Sequence, residues 1–154
     1  MSEETREAQT VLLVLSAGVV DFIRSMIYRT FTAFFAVLFL IAAAVQYNDP
    51  DAIRWIAIYL AASAACFLGL VERLRWWFPA VVGVAAFFWA VTLLPRASPN
   101  VAVSELFAAW EMKNERVEEG REMYGLLIIA ASMTLLAIST RVRRKAAVSA
   151  GGCA

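Results

Sequence analysis

The chain has 154 residues, of which 62% are hydrophobic and 18% charged, with a formal net charge of +1. That is the size of one domain and much more apolar than the globular norm, so the composition points to a membrane protein and away from a nucleic-acid partner. The absence of histidine removes the commonest general base at neutral pH and the commonest transition-metal ligand.

Residues 1–25 form an N-terminal extension. Val11 to Val20 is an apolar stretch, short for a span of roughly 20 residues, and Asp21 and Arg24 interrupt it. Its leading residues Glu3, Glu4, Arg6 and Glu7 are net acidic, unlike the basic start of a signal peptide. The segment reads as an interfacial helix, with a fifth span as the alternative and a natural start at Met26 as a third reading.

Four apolar stretches follow, at about 26–46, 52–71, 76–94 and 124–140. Each is close to the length that crosses about 30 Å of hydrocarbon. None has a charge near its middle, since Arg29 and Arg54 sit toward span ends, which argues against an ion or proton path. The expected fold is all-α: an integral membrane four-helix bundle over 26–140, with the N-terminal helix added and a basic, disordered tail at 141–154. Small residues suited to close helix contact are Ala61, Ala62, Ala65 and Gly69 in the second span and Gly125, Ala130 and Ala131 in the fourth. Trp55, Tyr59, Trp76, Trp77 and Trp110 lie near span boundaries and are expected to anchor the helices at the headgroup level.

Arg24, Arg29, Arg73, Arg75, Arg141, Arg143, Arg144 and Lys145 all fall on one side of the four-span arrangement. The positive-inside rule makes that side cytoplasmic, with both termini. Two polar blocks then share the non-cytoplasmic side: Gln46-Tyr47-Asn48-Asp49-Pro50-Asp51 and Glu118-Glu119-Gly120-Arg121-Glu122. Any chemistry would lie there.

Each block has an ordinary structural role available. Asp49 suits a helix N-cap, Pro50 the first helical position and Asp51 the first turn, facing the helix dipole. Glu118 and Arg121 are spaced to pair on a helix, while Glu118, Glu122, Gly125 and Ile129 share a face.

These residues also carry a resemblance. The run Gln46 to Asp51, Trp55 and Tyr59, with Glu118 to Glu122, Gly125 and the apolar Leu126 to Ile129, resembles the transmembrane protein 220 family over about Met26 to Ser139. The resemblance implies a small multi-pass membrane protein of a family without an assigned activity. The chain departs from relatives that carry a further apolar segment after Ile138; a basic tail takes its place.

Two functions compete on this reading. In the first, a structural or partner-binding module, as a homo-oligomer or with another membrane protein, uses the blocks to lock helix ends together, with Asp49 or Asp51 pairing to Arg121. In the second, Gln46, Asn48, Asp49, Asp51, Glu118 and Glu122 form an all-oxygen site for a divalent cation such as calcium or magnesium, or for a small ligand. Paired carboxylates there could also act as acid and base, although no nucleophile with a partnering base is recognisable. The first reading requires no cofactor and takes the lipid bilayer as its main partner.

Overall fold

The computed structural model describes residues 3–49, 51–94 and 115–151. They form four helices: α1 (Glu3–Val45), α2 (Ala52–Leu70), α3 (Trp77–Leu93) and α4 (Glu115–Gly151), with a short 3-10 turn at Gln46–Asn48. α1, α2 and α4 are each long and apolar enough to cross a membrane, and α3 is a shorter apolar helix. With 17 residues, α3 extends about 26 Å, at the lower end of the spanning range.

The helices form two pairs, α1 along α2 and α3 along α4, and α2 also touches both α3 and α4. α1 meets α4 only lightly. Phe39, Trp55, Leu126, Ile129, Met133 and Leu136 form the centre of the core. On α4 the buried Leu126, Ile129, Met133, Leu136 and Thr140 recur at intervals of three and four, one stripe of an α-helix. The opposite faces expose large apolar residues such as Phe34, Ile41, Phe88 and Ile138, which lipid can cover.

Close packing follows small residues. Ala62, Ala65 and Gly69 of α2 are buried, while Ala131 of α4 is exposed. α3 approaches α4 closely at Gly83, where an added Cβ would lie 3.2 Å from the Met133 Cβ and 3.4 Å from the Ala130 carbonyl oxygen. Polar groups reinforce the pairing: the Ser63 hydroxyl donates to the Ala36 carbonyl of α1 at 2.8 Å, a contact that lipid does not compete for.

Three regions are described beside their expectations. The N-terminal segment is helical and continues into the first span as α1, which runs unbroken to Val45; Asp21 and Arg24 are exposed on it, so neither has to be buried for the helix to continue. The tail expected to be disordered is helical as far as Gly151, because Arg, Lys and Ala favour a helix that is already nucleated. Trp55, expected as an interfacial anchor, is 3% exposed and stacks on Trp89, with ring centroids 4.7 Å apart. Trp76 and Trp77 are exposed, and Trp110 lies outside the described residues.

Candidate functional site

The first polar block is shaped by its own backbone and carboxylates. The Asp49 N–H donates to the Gln46 carbonyl at 3.2 Å, closing the 3-10 turn, and the Ala52 N–H donates to the Asp49 carbonyl at 3.1 Å. Asp49 Oδ1 accepts the Asp51 N–H at 3.0 Å, satisfying one of the amides that a helix start leaves without a partner. Asp51 Oδ2 then pairs with Arg54 Nη1 at 3.4 Å, both side chains being largely exposed. Asp51 therefore has an ion-pair partner on the first turn of α2. Asn48 is exposed and Gln46 half-buried.

About two turns deeper, α2 meets α4. A Cβ on Gly125 would lie 2.8 Å from the Tyr59 hydroxyl, so the absence of a side chain at Gly125 is what admits the phenol. The Tyr59 ring is held from behind by Trp55 and Phe39, each with its centroid 6.3 Å away. Glu122, one turn above Gly125 on α4, is half-buried and within electrostatic reach of Tyr59. Arg121 is half-buried as well, and both it and Glu122 have interaction partners.

The structure thus brings Tyr59, Glu122 and Gly125 together. Asp49 and Asp51 are engaged within the first block, and the side chain of Glu118 lies outside the described residues. Among the described residues, no three or more Asp, Glu, Cys or His side chains gather as a group that could hold a metal ion.

The match to known proteins fits this arrangement. The family model described as "Transmembrane family 220, helix" matches residues 38–138, a stretch that contains both polar blocks. The chain belongs to transmembrane family 220. No solved structure matches it. In this family member the matched stretch runs from the second half of α1, through α2 and α3, to the Ala137–Ile138 level of α4.

Sequence reasoning missed several residues that position this site. Trp89 of α3 is the stacking partner that fixes Trp55. Pro79, Gly83, Ala86 and Ala90, all buried, let α3 lie close to α4. Their spacing of three and four small residues was the available signal. The other end of the bundle, where the basic residues collect, also has defined geometry. Arg143 stands 4.3 Å over the Tyr28 ring, Arg141 stands 5.1 Å over Trp76, and Arg144 Nη2 donates to the Leu74 carbonyl at 2.9 Å.

Proposed function

We propose that this protein is a structural or partner-binding module of the membrane, with the polar-block end on the non-cytoplasmic side and the basic end, with both termini, in the cytoplasm. The observation that carries this reading is the junction of Tyr59 with Gly125 beneath Glu122. It seats α4 on α2 one turn beyond the second block, which is a packing role. The first block supports the same reading, because the Asp49 carboxylate accepts the Asp51 N–H at the turn before α2 and Asp51 pairs with Arg54. The charge asymmetry supports the orientation through the positive-inside rule.

Thermal unfolding in detergent, with chelator and then with calcium, magnesium or manganese, tests this against the cation site. A ligand of the folded state raises the melting temperature by mass action. The structural reading predicts no response to the ions, and a loss of stability of about 1 kcal/mol for Asp49→Ala, which removes the oxygen that accepts the Asp51 N–H, with little loss for Asp49→Asn, whose amide oxygen can still accept it. A saturable rise with one ion, abolished by Asp49→Asn and by Glu122→Gln, would overturn it in favour of a cation site.

A further inference from the structure

At the end of the bundle opposite the polar blocks, a cavity of about 300 Å³ is lined by Tyr28, Glu72, Thr140, Arg143 and Arg144. Thr140 is 6% exposed, and its hydroxyl has no hydrogen-bond partner. That sets it apart from other hydroxyls on these helices. Thr32 donates to the Tyr28 carbonyl at 2.7 Å, Ser132 to that of Ile128 at 2.8 Å and Thr134 to that of Ala130 at 2.7 Å. An unsatisfied buried hydroxyl is costly, and here it faces a cavity that also presents two guanidinium groups.

The same place holds a strained backbone. Glu72 has φ 58°, the left-handed conformation that glycine normally supplies at a helix end. It closes the turn after α2: the Arg73 N–H donates to the Leu68 carbonyl at 3.0 Å and the Glu72 N–H to the Gly69 carbonyl at 3.3 Å. Strain of this kind collects at binding sites.

A groove adjoins the cavity and shares Tyr28 and Arg143 with it. It runs between α1 and α4, whose contact is slight, and is lined by Phe31, Leu135 and Ile138, with Arg24 at its rim. A basic chamber with a buried hydroxyl, continuous with an apolar groove, matches a molecule that has an anionic head and a hydrocarbon tail. We propose that this end of the bundle binds the phosphate headgroup of an anionic phospholipid, with an acyl chain in the groove between α1 and α4.

Arg143 and the Thr140 hydroxyl donate to phosphate oxygens, and Arg144 contributes donors beyond the one given to Leu74. Glu72 does not prevent this. Its carboxylate is 3.9 Å from Arg143, with the side chain 76% exposed, so a phosphate offering shorter charge-assisted bonds displaces it readily. Basic pockets between membrane helices are where anionic headgroups are held.

The test is a titration of the full chain in neutral detergent with short-chain phosphatidylglycerol, with short-chain phosphatidylcholine and with inorganic phosphate, read as the shift in melting temperature. Phosphatidylglycerol is expected to give a saturable rise that neither phosphatidylcholine nor phosphate reproduces at equal concentration. Arg143→Gln and Thr140→Val should each weaken the phosphatidylglycerol response, Arg143→Gln by about tenfold in affinity. Arg75→Gln, an exposed charge at the same end, should leave it unchanged. Equal responses to both lipids, an equal response to free phosphate, or an equal loss in Arg75→Gln would overturn the proposal. Should a variant fail to fold, native mass spectrometry of the unsubstituted protein with an equimolar mixture of the two lipids decides. Preferential retention of phosphatidylglycerol is expected, and equal retention contradicts the site.

Discussion

The hydroxyl of Tyr59 on α2 occupies the space that a side chain at Gly125 on α4 would need: a Cβ there would stand 2.8 Å from it. This places a phenol at the junction of α2, which follows the first polar block, and α4, which carries the second. It also makes the junction sensitive to a single methyl group.

Gly125→Ala should therefore lower stability by about 1–3 kcal/mol, the usual range for overpacking, even though alanine is the better helix former by about 1 kcal/mol. The Tyr59 ring cannot simply retreat, since Trp55 and Phe39 flank it. Adding Tyr59→Phe removes the obstructing oxygen and should restore part of the loss. A double-mutant cycle on melting in detergent checks this, and strictly additive losses would separate the two residues.

At Gly83 the neighbours are less able to move. The nearest atoms to an added Cβ are the Met133 Cβ and the Ala130 carbonyl oxygen, both fixed to the backbone of α4. Gly83→Ala is expected to cost about 1–3 kcal/mol, and Gly83→Leu to separate α3 from α4 altogether. Thermal unfolding of both variants should rank them in that order.

How much of this was legible in the chain follows from what each signal encodes. Long apolar runs disclose helices in lipid because hydropathy is a local property, and Asp49 discloses a helix start because its carboxylate bonds an amide two residues on. The partners of buried aromatics are not local. Nothing near Trp55 indicates that Trp89, thirty-four residues later in the sequence, will stack on it, so its position near a span end suggested an anchor. The pairing of Asp49 or Asp51 with Arg121 was likewise suggested by sequence order. Arg54, three residues on, takes the Asp51 carboxylate at 3.4 Å. The fate of residues 3–25 and 141–151 depended on helix propagation across charged residues, which composition alone does not determine.

Trp55→Ala should cost about 3–5 kcal/mol, as for a large aromatic removed from a core, because the ring is 3% exposed and packed on Trp89. Trp77→Ala, from an exposed position, should cost much less. Equal melting temperatures for the two variants would contradict the assignment of Trp55 to the core.

The left-handed backbone at Glu72 gives a sharper comparison. Glu72→Gly and Glu72→Ala both remove the carboxylate facing Arg143, so the weak ion pair cancels between them. Glycine accepts φ 58° without the penalty that a Cβ brings. Glu72→Gly should be the more stable of the two by about 1 kcal/mol, measured by unfolding under identical conditions.

The central claim, a bundle whose polar-block end lies outside the cytoplasm and whose basic end lies within it, is tested most directly by labelling. In a background with Cys66 and Cys153 replaced by alanine, Asn48→Cys and Arg75→Cys each introduce one thiol at an exposed position. A membrane-impermeant maleimide applied to intact cells should label Asn48→Cys, and should reach Arg75→Cys only after permeabilisation. Labelling of Arg75→Cys in intact cells, with Asn48→Cys protected until permeabilisation, would contradict the account.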